Sequence, residues 1–123
     1  DCLRYEEAAR LRDRLHALEA VVRELAELER LRAAELCLLA PARQPGFTRA
    51  FFVRGGRVAA VRTLPTGAGA RLELETGLAT AGRAEPSLSP EHADELLLIG
   101  SFLRRPPPEL RVLSLGAVLS AAA

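Results

Sequence analysis

From Ala8 onward, apolar residues recur at alternating steps of three and four: Ala8, Leu11, Leu15, Leu18, Val22 and Leu25. That spacing follows one stripe of an α-helix and matches the a and d positions of a heptad repeat. It predicts one long helix over residues 5–33. Glu6 with Arg10 and Glu19 with Arg23 stand four residues apart, and each such pair adds about 0.2–0.5 kcal/mol to an isolated helix. A seam this narrow needs a second helix to cover it, and no second heptad segment occurs in the chain. The cover is expected from upstream sequence, from another chain, or from the segment that follows.

Past the helix the period changes. Glu35 to Ala40 is compatible with a helix or a strand; a short strand is the better expectation because a sheet must follow, and Pro41 and Gln44-Pro45-Gly46 end it. Phe47 to Leu64 reads as a hairpin around Gly55-Gly56, a pair suited to the positive φ angles of a primed two-residue turn. Simple counting from that turn pairs Arg54 with Arg57, Val53 with Val58, Phe52 with Ala59 and Arg49 with Arg62. One face then gathers Phe51, Val53, Val58 and Ala60, the other Ala50, Phe52, Ala59 and Val61. Both are apolar in the middle, so cover is expected on both sides.

Pro65 to Gly69 is a loop. Residues 70–84 allow a strand or a helix, with Ala and Glu content favouring the helix. Gly82 to Ser87 breaks it. Ser89-Pro90-Glu91 carries the marks of a helix start, with acids at 91, 94 and 95 near the positive end. Ala93, Leu96, Leu97, Gly100 and Leu103 make its expected buried stripe, and Pro106-Pro107-Pro108 prevents continuation. Leu110 to Leu115 reads as a last strand, and the Ala-rich tail after Gly116 as frayed. The predicted fold is α+β: a long N-terminal amphipathic helix, then a small antiparallel sheet of three or four strands with one or two packed helices. The predicted organisation is a helical segment at 1–33, a small domain at 34–116 and a flexible tail at 117–123.

Charge is distributed unevenly. The net charge is +1, and all 17 basic residues are Arg. The uniform use of Arg fits a coding bias, so it does not by itself signal phosphate binding. Residues 1–35 carry nine acids and seven Arg, residues 36–72 six Arg and no acid, and residues 73–95 six acids and one Arg. A basic block followed by an acidic one can mark a nucleic-acid or acidic-partner surface. Like charges directly opposite in a sheet are destabilising. Arg54 with Arg57 and Arg49 with Arg62 therefore call for an anion: Glu73 and Glu75, solvent, or the phosphates of DNA. Phe47, Phe51 and Phe52 could stack on bases, but core packing is the stronger expectation.

No catalytic set is evident. His16 lies off the Leu seam and His92 in the first turn of the late helix, both read as surface residues. Cys2 and Cys37 lack further Cys or His at ligand spacing, so two free thiols are expected, with Cys37 buried. The acids at 91, 94 and 95 are explained by the helix dipole rather than by a metal. No cofactor is implied. No apolar run approaches the ~18 residues that span a bilayer, no signal peptide is evident, and a cytoplasmic location is expected.

Residues 4–19 resemble the second helix of a UVR hairpin, whose pattern is an aromatic, an acid, Glu-Ala-Ala, then Arg-Asp and an aliphatic residue. Here these are Tyr5, Glu6, Glu7-Ala8-Ala9, Arg12-Asp13 and Leu15. The family's first helix has no counterpart, so the chain is expected to begin inside the motif. Phe51-Phe52-Val53-Arg54-Gly55-Gly56-Arg57 is similar to the hairpin that follows the UVR motif in the excision nuclease subunit UvrC, and Phe102-Leu103 with the prolines and closing strand resembles the end of that region. The compact ending is similar to bacterial fusions of a DEDDh 3′–5′ exonuclease, like the polymerase III epsilon subunit, with the N-terminal half of UvrC. The resemblance implies a non-catalytic module of a DNA-repair or DNA-processing nuclease whose catalytic residues lie upstream. It implies docking to another UVR hairpin, as in the helicase subunit UvrB, through Tyr5, Ala8, Leu11, Arg12, Leu15, Leu18 and Val22. Arg49, Arg54, Arg57 and Arg62 are the candidate DNA contacts. A purely structural or dimerising module is the alternative.

Overall fold

The computed structural model describes residues 2–84 and 90–122. The chain divides into two compact units, Asp1–Arg30 and Leu31–Ala123. The first is made by helix α1, Cys2–Ala33, which continues into the start of the second and has no buried residue. Its sequence contains no Gly or Pro and is dominated by Ala, Leu, Glu and Arg, the strongest helix formers.

The second unit is built on a four-stranded antiparallel sheet in the order β3-β2-β1-β4, with β1 at Leu36–Pro41, β2 at Thr48–Arg54, β3 at Arg57–Leu64 and β4 at Arg111–Ser114. Three helices complete it: α2 at Gly69–Arg83, α3 at Pro90–Arg104 and α4 at Leu115–Ala122. The fold is thus α+β as the periodicities indicate. Residues 36–41 form the short strand, and the ambiguous segment at 70–84 is helical.

Strand alternation sends neighbouring side chains to opposite faces, and here both faces are covered. Cys37, Ala50, Phe52, Ala60 and Leu64 meet Ala81 of α2 and Leu115 and Val118 of α4. On the other face Leu38 and Val53 meet Ile99 of α3. Phe52 and Val53, adjacent in sequence, are each fully buried, one per face.

The turn at Gly55 and Gly56 has φ of 65° and 77°, the left-handed pair of a type I′ hairpin. Arg54 pairs with Arg57 and Val53 with Val58 as counted from the sequence. A β-bulge between Phe52 and Val53 then shifts the register: Phe52 pairs with Ala60, Ala50 with Arg62 and Arg49 with Thr63. The expected pairs Phe52–Ala59 and Arg49–Arg62 do not form. The extra residue on β3 moves Ala60 to the Phe52 face, where it joins the larger core.

Further expectations are corrected. In α3 the buried side is Ile99 and Gly100, with Leu96 and Leu103 half-buried, while Ala93 and Leu97 are exposed. The helix is turned so that Glu95 reaches edge strand β3, where its carboxylate accepts a hydrogen bond from the Val58 N–H at 2.5 Å. The segment after Gly116 is not frayed: α4 packs Val118 into the larger core at 2% exposure. The break expected from Gly82 does not begin there, since α2 runs through Gly82 to Arg83; residues 85–87 and the expected Ser89 cap lie outside the described residues.

Gly77 of α2 packs directly on the sheet, for a Cβ there would overlap the Phe52 ring. Gly77→Ala is expected to destabilise the domain by about 1–3 kcal/mol in urea unfolding, the overlap outweighing the roughly 1 kcal/mol by which a helix favours Ala. A neutral result would show that the ring repacks freely. Burial also pushes the Cys37 thiol from 9.0 up to about 11. The folded state therefore keeps a proton that the unfolded chain releases, so this contribution to stability is complete below pH 9.0 and lost as pH rises to about 11. The loss is on the order of 2–3 kcal/mol. Urea midpoints from pH 8 to 11 should fall more steeply for the wild type than for Cys37→Ala.

Candidate partner-docking surface and arginine sites

Residues i, i+3, i+4 and i+7 of α1 share one helix stripe. Along it Leu11, Leu15, Leu18, Val22 and Leu25 are 64%, 53%, 61%, 57% and 57% exposed. Ala8 and Arg12 are exposed as well, and Tyr5 is 79% exposed. The expected docking residues therefore form one continuous apolar stripe with Arg12 at its flank. Val21, three residues after Leu18 and four before Leu25, widens it.

The four hairpin arginines are not gathered into one surface. Arg54 donates from Nη1 to the carbonyl oxygens of Ala81 at 3.3 Å and Gly82 at 2.8 Å. These belong to the last turn of α2, where the Ala81 carbonyl also accepts from the Ala84 N–H at 3.2 Å. Its Nε lies 3.6 Å from the Glu35 carboxylate. Arg62 pairs with Glu73 of α2 through Nε, at 2.6 Å, and also through Nη2. Glu73 thus neutralises the hairpin as one of the two expected acids; Glu75 instead meets Arg71 at 3.2 Å. Arg57 faces Arg54 across the turn, and the Arg54 guanidinium is drawn toward Glu35 and the α2 carbonyls, which relieves the like-charge opposition. Arg49 is exposed. It alternates with Phe51 and Val53 and so belongs to the opposite face from Arg62, a consequence of the bulge.

His16 is exposed, as expected. His92 is half-buried rather than solvated, and its Nδ1 has no hydrogen-bond partner among the described residues. Cys2 is exposed and Cys37 buried, both free. Among the described residues no group of three or more His, Cys, Asp or Glu is placed to hold a metal ion, and no helix is long and apolar enough to cross a membrane.

On the α3 face a groove of about 420 Å³ is lined by Leu38, Phe51, Val58, Ile99, Phe102 and Leu110, with Glu95 and Glu109 as its acidic groups. Phe102 and Leu98, which also lines it, are 44% and 58% exposed. Two apolar hairpin faces announced cover on both sides, but not that the α3 side would be covered incompletely.

No family model, curated protein or solved structure matches this chain.

The contacts divide the four arginines by role. Arg54→Ala and Arg62→Ala are each expected to lower unfolding stability by about 1 kcal/mol, a modest figure because both side chains remain partly solvated. Arg49→Ala should stay within about 0.5 kcal/mol of wild type. Equal losses at Arg49 and Arg62 in chemical denaturation would contradict this division.

Proposed function

We propose that this chain is a non-catalytic docking module of a DNA-repair or DNA-processing nuclease, and that α1 binds a helix of a partner protein along its Leu seam. The observation that carries this reading is the exposure of all five large apolar seam residues, each above half, on one stripe of a helix with no buried residue. A continuous apolar stripe of that kind marks an interaction surface rather than scattered surface hydrophobics. The UVR resemblance of residues 4–19 supplies the partner class: another UVR hairpin, such as that of the UvrB helicase subunit.

The geometry favours protein docking over a four-arginine phosphate site. Arg54 and Arg62 are held by Glu35, Glu73 and the α2 carbonyls, so direct DNA contact would fall to Arg49 and Arg57, which the hairpin register keeps apart.

Calorimetric titration of the chain with a UVR hairpin peptide from a UvrB-type helicase tests the proposal. Leu15→Glu with Leu18→Glu should weaken binding at least about a hundredfold, because two Leu contacts of roughly 1.5–3 kcal/mol each are replaced by charges. The unfolding midpoint of the sheet unit should not move. Binding by the double variant as tight as wild type would overturn the seam as the docking surface.

A further inference from the structure

The seam of α1 is complementary to itself, and more fully in one direction. In heptad terms Ala8, Leu15 and Val22 stand at a, Leu11, Leu18 and Leu25 at d, Arg12 and Glu19 at e, and Glu7 and Arg14 at g. In an antiparallel pair centred between residues 15 and 18, Leu15 faces Leu18 of the second copy, Leu11 faces its Val22, and Ala8 faces its Leu25. Every layer then contains at least one Leu, so no layer is left with two small residues. The flanks agree, for Arg12 comes beside Glu19 of the second copy, and two-fold symmetry repeats the pair. Just beyond the apolar layers Arg4 comes opposite Glu29 of the second copy.

The parallel alignment is poorer towards the ends of the seam. It sets Ala8 against Ala8 in the first layer, leaving it thin, and just beyond the layers it sets Arg4 against Arg4 and Glu29 against Glu29. Its merit is two kinds of rim pairing, Glu7 with Arg12 and Arg14 with Glu19, against one on the antiparallel flank; at the rim such pairs are modest in either orientation. Packing of the buried layers and the charge at their ends therefore decide the orientation.

We infer that α1 is a self-recognition element: two copies of this chain pair through residues 4–29 of α1 as an antiparallel two-helix coiled coil, with Arg12 and Glu19 as the reciprocal charge clamp. The inference rests on the docking reading of the same seam and names a second copy as an occupant. A two-fold interface of this kind closes on itself, because the same patch serves both partners. Any UVR hairpin or other helix that uses the seam must then compete with the self-pair, which would make docking depend on the concentration of the chain.

The test is sedimentation equilibrium of the full chain with Arg12→Glu, Glu19→Arg and the two combined, with helicity followed by circular dichroism. Wild type should be dimeric, each single reversal should weaken the dimer about tenfold, and the double reversal should restore it to within about threefold. In a parallel dimer the double reversal would instead bring two carboxylates together where Glu7 of one copy meets position 12 of the other, and two guanidiniums together where Arg14 meets position 19. A double variant weaker than either single change would therefore overturn the proposal. A second readout is the distance between spin labels on Cys2, the exposed thiol, Cys37 being buried. Labels about 45 Å apart are expected for antiparallel helices at a rise of about 1.5 Å per residue, and a separation under about 20 Å would overturn the orientation. A wild-type chain that stays monomeric at several hundred micromolar yet binds a UVR hairpin peptide would sink self-pairing and leave the docking reading standing. Failure to bind either would sink both.

Discussion

The sheet unit depends on the close approach of α2 to β2, where Gly77 admits the ring of Phe52. The chain has few large side chains with which to fill a core: four Phe, one Tyr and no Trp. Its largest fully buried residue is Phe52, and half of the core cluster it belongs to, Cys37, Ala50, Ala60 and Ala81, is small, the rest being Leu64, Leu115 and Val118. One bulky residue among small ones works only if the covering helix lies close to the sheet, and a side chain at position 77 would hold it away. The same approach brings Glu73 of α2 onto Arg62 and the last carbonyls of α2 within reach of Arg54. Core packing and the neutralisation of the hairpin are therefore consequences of one spacing.

Much of this was legible because the signals were local and redundant. The 3-4 stepping from Ala8 to Leu25, the Gly55-Gly56 turn and the proline stops each point to one element, and each element is where its signal lies. The bulge at Phe52 and Val53 had no such signal. An extra residue in an edge strand leaves the hydrophobic alternation intact on the partner strand, and Ala59 and Ala60 are alike enough that either could have faced Phe52. The register error carried straight into the candidate site, since it wrongly paired Arg49 with Arg62. In α3, Leu96, Leu97, Leu98 and Ile99 are four consecutive apolar residues, so composition could not say which stripe faces the sheet. The bond from Val58 to Glu95 goes with the stripe that is used. The tail gives little warning because Ala-rich ends carry little amphipathic pattern, yet Leu115 and Val118 anchor α4 in the core.

The arginines show why residue type outruns its usual associations. A run of six Arg with no intervening acid looks like a phosphate-binding block when read along the chain. In three dimensions the compensating acids come from elements before and after it, Glu35 and Glu73, and two backbone carbonyls complete the set. Arginine suits these sites because its planar fork can serve several acceptors at once. Arg62 offers two nitrogens to one carboxylate, and Arg54 spans two carbonyls and Glu35. Linear charge blocks report the surface potential only when folding does not bring the opposite charge to them, and here it does for half of the hairpin set.

Helix α1 follows the opposite logic, and the contrast bears on how it works. Most helices in proteins owe their stability to a buried apolar face, yet this one buries none of its residues. Its 32 residues include no Gly or Pro and only two that are β-branched, Val21 and Val22, so propensity and ion pairs such as Glu27 with Arg30 at 3.8 Å must carry more of the load. A helix that is formed before it meets its partner has already met the ordering cost that a disordered segment would face on binding. Affinity then depends on the fit of the seam alone. Because that seam is about two and a half heptads long, a single charged residue at Leu15 or Leu18 interrupts it at its centre and leaves no apolar stretch long enough to pair on either side.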